Sequence, residues 1–187
     1  MNVRPLPITG ALLIVPRAFA DERGYFKETF SATRYAEAGI LETFVQDNVS
    51  SSDRDVLRGL HADPRMAKIV QVLAGSGFDV IADIRPESPT YGQWYGECLR
   101  AGEHKQVYIP AGCLHGFLSL EDGTLLTYKQ SALYDQASET GIAWNDPTLA
   151  IAWPLAGRIP RLSPKDAANP SFETLAALGP QGDSPAV

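Results

Sequence analysis

The sequence predicts an all-β fold, a sandwich or barrel assembled from many short strands. Three observations carry that reading. The dominant apolar period is two, clearest at Phe78-Asp79-Val80-Ile81-Ala82-Asp83-Ile84, where Phe78, Val80, Ala82 and Ile84 share one face and Asp79 and Asp83 the other. The 187 residues include 16 glycines and 14 prolines, an excess that implies many turns. Helix signals are scarce, which leaves closely spaced short strands to form the body of the fold.

Taken in order, strands are expected at 12–15, 68–73, 78–84, 106–109, 117–120, 125–130 and 149–153. Turn signals separate them, among them Gly75-Ser76-Gly77, Pro110-Ala111-Gly112 and Glu121-Asp122-Gly123. Helices are expected to be few, short and peripheral. The one that can be placed opens with Ser31 as cap, runs through Ala38 and stops at Gly39. Residues 1–178 read as one domain, and 179–187, rich in Gly, Pro and Ser, as a disordered tail.

With 44% apolar and 20% charged residues, the composition is that of an ordinary globule rather than a fibrous or wholly disordered chain. A net charge of −6 without basic runs argues against a broad grip on nucleic acid, so an anionic ligand must be held by local groups. Cys98 and Cys113 are too few for a disulfide scaffold; they read as small buried apolar residues in a reducing compartment. Near the N-terminus, Ile8 to Val15 followed by Ala18-Phe19-Ala20 imitates a secretory leader. Pro7, Thr9 and Gly10 interrupt the apolar run, and Pro16-Arg17 stand where small residues belong, so the segment reads as part of the domain. No stretch of 18 apolar residues occurs, so no membrane association is expected and the expected location is the cytoplasm.

Proton-transfer chemistry near neutral pH has three histidine candidates, His61, His104 and His115. On a regular strand Arg58 and His61 would face opposite sides, unless Gly59 introduces a bulge that turns both toward one cavity. No His-x-His pair is present, so no metal is expected. Neither a Walker-type phosphate loop nor a Gly-x-Ser-x-Gly elbow occurs. Arg23, Arg58 and Lys68 are the cations that could pair with a diphosphate singly.

Seven runs, in this order, carry a resemblance: Asp21-Glu22-Arg23-Gly24-Tyr25-Phe26-Lys27-Glu28; Gln46-Asp47-Asn48-Val49-Ser50; Leu57-Arg58-Gly59-Leu60-His61; Asp83-Ile84-Arg85 with Ser88-Pro89-Thr90-Tyr91-Gly92; Ile109-Pro110-Ala111-Gly112 with His115-Gly116-Phe117; Trp144-Asn145-Asp146-Pro147; and Leu162-Ser163-Pro164-Lys165-Asp166. Over roughly residues 6–172 the chain resembles the dTDP-4-dehydrorhamnose 3,5-epimerase family. The resemblance implies a cupin-type double-stranded β-helix, or jelly roll, free of metal and of other cofactors. It also implies a homodimer with exchanged N-terminal strands around residues 11–15, and a nucleotide-diphosphate 4-keto sugar as substrate.

By the same resemblance, His61 corresponds to the catalytic base, Asp166 to the carboxylate that orients it, Tyr128 to the opposing acid and Lys68 to the cation beside the developing O4 charge. Arg23, Phe26 and Glu28 fall on one rim of the substrate pocket, and Gln46, Asn48 and Arg58 line it. His115, Tyr134 and Trp144 complete the substrate-binding set. These residue types suit the chemistry: a C–H beside a ketone becomes acidic when a base meets it and the enolate oxygen is stabilised, and inversion needs a proton from the other face.

One departure is local. Only Ala62-Asp63-Pro64-Arg65-Met66-Ala67 separates His61 from Lys68, where most relatives with dTDP-linked substrates resemble one another in a longer loop. The alternatives left open are therefore dTDP-, GDP- or CDP-linked substrates, and inversion at C3, C5 or both. From a different class, a non-catalytic sugar-binding cupin would need the pocket but not the base, carboxylate and phenol together.

Overall fold

A computed structural model describes residues 1–178 of the chain. The expectation for 179–187 lies outside the described residues. The strands are β1 (Asn2–Pro5), β2 (Leu12–Val15), β3 (Ala18–Asp21), β4 (Gly24–Lys27), β5 (Gln46–Ser52), β6 (Leu57–Ala62), β7 (Lys68–Ala74), β8 (Ser76–Asp83), β9 (Trp94–Arg100), β10 (Gln106–Ile109), β11 (Cys113–Ser119), β12 (Thr124–Gln130) and β13 (Thr140–Gly141). Among the described residues the α-helices are short and peripheral, α1 (Ala32–Glu37), α2 (Pro164–Ala167) and α3 (Phe172–Leu178), with one 3-10 turn at Ala101–Glu103.

Two antiparallel sheets form the body, in the orders β1-β2-β10-β7-β12-β5 and β13-β6-β11-β8-β9, while β3 and β4 make a separate ribbon. Their inner faces meet in a core where Val70, Val72, Val107 and Leu126 of the first sheet pack with Ile81 and Phe117 of the second. This is the jelly roll expected from the resemblance. Each sheet is also covered on its outer face. Tyr35 of α1 and Ile40 pack on Ile14, Ile69 and Tyr108 of the six-stranded sheet. Leu149, Ile151, Trp153 and Phe172 cover Leu60, Val80, Ala82 and Leu114 of the five-stranded one.

Five of the seven expected strands fall within two residues of their observed bounds; 117–120 covers only the end of β11, which begins at Cys113, and 149–153 is not a strand. It is irregular, with Ala150 at φ +46° and backbone bonds that stay local (Ala150 N to Asp146 O, Trp153 N to Ile151 O). Its alternating apolar residues cover a sheet instead of extending one. One strand that was not expected has a chemical reason. β5, Gln-Asp-Asn-Val-Ser-Ser-Ser, is polar on both faces and lies at a sheet edge, where its apolar signal is weakest. Cys113 is buried as expected, whereas Cys98 is exposed. At α1, Ser31 stands at the cap position but its side chain makes no capping hydrogen bond. Among the described residues no helix is long and apolar enough to cross a membrane.

Candidate active site

Strand β6 is bent where the site begins. Its register with β11 pairs His61 with His115 and Arg58 with Phe117, so three steps on one strand match two on the other. The extra residue is a bulge, and it reverses the usual alternation: Arg58 and His61 both join the inner face. Gly59 makes this feasible. Its φ is +113°, and a Cβ there would lie 2.6 Å from the His115 carbonyl oxygen and 2.9 Å from Gly116 Cα. Arg58 then reaches toward the other sheet, donating from Nε to Ser52 Oγ (3.0 Å) and from Nη2 to the Ser51 carbonyl (3.0 Å).

His61 meets a carboxylate from the far end of the chain. Its Nε2 lies 2.6 Å from Asp166 Oδ1. Asp166 sits in the first turn of α2, where Ser163 caps the helix by accepting from Asp166 N (3.1 Å) and donates to Asp166 Oδ2 (2.8 Å). Burial opposes the charge on Asp166, but His61, Ser163 and the Gly59 amide outweigh it and hold the carboxyl below its usual range. An ionised Asp166 keeps the ring proton on Nε2 and leaves Nδ1 to accept one. That nitrogen lies 3.8 Å from Glu139 Oε1, and Glu139 is itself paired with Lys165.

Across the cleft, alternation on the six-stranded sheet brings Lys68, Tyr128, Gln130, Asn48 and Gln46 onto one inward row. Their amides form a chain, Gln46 Nε2 to Asn48 Oδ1 (2.9 Å) and Asn48 Nδ2 to Gln130 Oε1 (3.0 Å), which ends on Tyr134, whose N–H donates to Gln46 Oε1 (3.1 Å). Burial raises the Tyr128 phenol pKa, with Arg58 opposing, so the phenol is protonated at neutral pH. Burial lowers Lys68 to about 8, against the pull of Asp79 and Asp63. His115 Nε2 lies 2.7 Å from Asp79 Oδ2, on the inner face of the five-stranded sheet.

The remaining expected residues lie elsewhere in the single chain. Arg23 pairs with Asp21, Glu28 with Arg34, and Phe26 on the β3–β4 ribbon is 72% exposed. Trp144 packs with Leu57, Leu118 and Leu155 on the outer face of the five-stranded sheet, not in the cleft, because Leu57 and Leu118 occupy the face opposite Arg58 and Phe117. Strand β2, around the segment expected to be exchanged, is paired on both sides, to β1 and β10, so it leaves no open edge within the chain. Sequence reasoning missed Glu139 and Lys165. Lys165 had a signal, since Ser163-Pro164-Lys165-Asp166 has a cap residue, proline at the first helical position and an acid at the third. Glu139 had none.

His61 on one sheet of the jelly roll, paired with Asp166 of α2, faces a sheet that carries a phenol and a buried ammonium, an arrangement suited to acid–base chemistry. The chain matches the dTDP-4-dehydrorhamnose 3,5-epimerase family over residues 5–174 and belongs to it. It is 44% identical over 177 residues to dTDP-4-dehydrorhamnose 3,5-epimerase of Salmonella typhimurium, covering 92% of this chain and 96% of that protein. A Legionella pneumophila dTDP-6-deoxy-D-glucose-3,5-epimerase, solved in complex with dTDP-4-keto-L-rhamnose, superposes with a TM-score of 0.91 at 44% identity, covering 98% of this chain and 99% of that one. ChmJ, a 3'-monoepimerase from Streptomyces bikiniensis solved with dTDP-quinovose, gives a TM-score of 0.88 at 37% identity, covering 94% and 90%.

Proposed function

We propose that this enzyme inverts C3 and C5 of a nucleotide-linked 4-keto-6-deoxy sugar by proton abstraction and re-addition, converting dTDP-4-dehydro-6-deoxyglucose to dTDP-4-dehydrorhamnose without a cofactor. The observation that carries the reading is the His61–Asp166 pair at 2.6 Å at the five-stranded sheet of a jelly roll whose six-stranded sheet turns Tyr128 and Lys68 inward. His61 removes the proton beside the ketone, and Asp166 stabilises the imidazolium that results. Lys68 faces the charge that develops on O4. Tyr128 returns a proton from the opposite face. Arg58, Asn48, Gln46, His115 and Tyr134 bind the substrate, and the enzyme works in the cytoplasm, where two free cysteines are at home.

The reading extends to a homodimer in which the N-terminal region of one protomer lies over the cleft of the other, so that Arg23, Phe26 and Glu28 serve the partner's nucleotide. Exposed Phe19, Tyr25 and Phe26, with the open edge of β5, support it. A mixture of Arg23→Ala and His61→Ala chains should then recover activity that neither has alone; no recovery would count against shared sites. The reaction itself is tested by incubating dTDP-4-dehydro-6-deoxyglucose with the enzyme in D₂O and reading the sugar by NMR. Deuterium at both C3 and C5 is expected. Incorporation at one carbon would make the enzyme a monoepimerase, and exchange into only the GDP- or CDP-linked sugar would reassign the nucleotide.

A further inference from the structure

Lys68 is a buried ammonium, 9% exposed, yet among the described residues no carboxylate lies within 4 Å of it. Two buried carboxylates are nevertheless close enough for their charge to reach it, Asp63 and Asp79. Each is engaged elsewhere. Asp79 receives His115 Nε2 on Oδ2 at 2.7 Å, while its buried Oδ1 has no hydrogen-bond partner among the described residues. Asp63, 4% exposed, has both oxygens taken by one residue: Arg65 donates its backbone N–H (2.9 Å) and Nε (3.1 Å) to Oδ1 and Nη2 (2.8 Å) to Oδ2.

The connection that carries this fork is only five residues long and joins the strand of His61 directly to the strand of Lys68. It is also fixed at its far side. The Ser131 hydroxyl accepts from Ala67 N (2.8 Å) and donates to the Arg65 carbonyl (3.2 Å), and Arg65 Nη2 lies 3.5 Å from Asp135 Oδ2. Asp63 and Lys68 share the wall of one cavity of about 20 Å³ with Met66, Gln130, Asp135 and Glu139. In so confined a space an uncompensated Asp63 carboxylate has one strong attraction, the neighbouring ammonium.

We infer that Arg65 is a positioning residue for the reaction: by occupying Asp63 it keeps that carboxylate from pairing with Lys68, leaving the Lys68 charge for the oxyanion formed on the substrate. This rests on the role assigned to Lys68 above. An ammonium already paired with a carboxylate stabilises a second anion poorly, so the effect should fall on the chemical step more than on binding.

The test is a double-mutant cycle between Arg65→Gln and Asp63→Asn, both read as kcat and KM for the 4-keto sugar nucleotide and as melting temperature. With Asp63 present, Arg65→Gln should lower kcat about tenfold with KM changed less than about twofold; with Asn at 63 the same substitution should change kcat less than about twofold. The basic limb of kcat should also move upward in Arg65→Gln, since a released Asp63 favours the charged lysine. Of the other groups near Lys68, Asp79, Glu139 and Tyr134 keep their partners in the variant; Asp135 also loses Arg65, a loss common to both backgrounds of the cycle and so removed by the comparison. Arg65→Lys, which keeps a cation on Asp63, should stay within about twofold of the parent and serves if the Gln variant melts early. Equal losses in both backgrounds, or an unmoved basic limb, would overturn the inference. Deuterium exchange by the parent enzyme checks the underlying function separately: an active parent with an additive cycle refutes only the role of Arg65.

Discussion

The two faces of the five-stranded sheet are built from the same strands and do opposite things. Its outer face carries Leu60, Val80, Ala82 and Leu114, closed over by Leu149, Trp153 and Phe172. Its inner face carries, beside the core residues Ile81 and Phe117, the polar groups Arg58, His61, Asp79 and His115. On β6 the division depends on one bulge: with regular pairing, Arg58 and His61 would lie on opposite faces, and one of them would be buried against Trp153 and its neighbours. The outer face holds the sheet together. The inner face uses the rigidity that results to hold polar groups at fixed distances.

The largest expected effect separates these roles. His61→Ala should reduce turnover by roughly 10²–10⁴, the span of one positioned general base, with a nearly unchanged melting temperature. Leu60→Ala, its neighbour on the outer face, should instead lower stability by about 2–5 kcal/mol while the folded fraction turns over normally. A His61 variant that melts much earlier, or a Leu60 variant that folds fully but is inactive, would erase the distinction. Asp166→Asn should fall between them in rate, because the amide offers the ring a different hydrogen-bonding partner.

Tyr128→Phe sharpens the comparison across the cleft. As a packing residue the phenol would contribute about one hydrogen bond, near 1 kcal/mol. As the acid on the far face, its loss should block completed inversion while His61 still exchanges a proton, so deuterium wash-in with retention should survive better than epimerised product. Equal loss of both would make it a substrate-positioning group.

The pH response should divide the same way. Lys68 titrates at about 8, below its unfolded value near 10.4, so activity should decline as pH rises through 8 while its contribution to stability grows between those values, because the unfolded chain there binds more protons. Asp166 acts in the same direction over a lower range of pH. Its carboxyl is depressed, so its contribution is present above the usual carboxylate range and lost as pH falls below it. Parallel profiles of kcat and melting temperature across pH 8–10 would show that Lys68 is not the group whose deprotonation limits turnover. The smallest effect is expected at Trp144, packed partly buried on the outer face: Trp144→Phe should leave KM within about twofold, and a large rise in KM would return it to the substrate site.

Much of the fold was legible along the chain. Alternation marked β2, β7, β8, β10, β11 and β12, because a residue two positions on must share its neighbour's face. The seven motif runs marked the family, and with it His61, Asp166, Tyr128 and Lys68, before any distance was known. Period two tells which residues share a face, not which face turns inward. Asp79 and Asp83 therefore look like a solvent stripe yet are 2% and 0% exposed, because the apolar side of β8 is used by the covering segment after β13. The same ambiguity made 149–153 look like a strand. Tertiary structure alone decided the rest: that Gly59 bulges, that Asp166 arrives at His61 from 105 residues away, that Glu139 and Lys165 stand beside it, and that Arg65 occupies Asp63 next to Lys68. Local sequence restricts backbone angles and patterns of burial, whereas contacts between distant side chains are set by how two sheets pack and where the connections between them can reach.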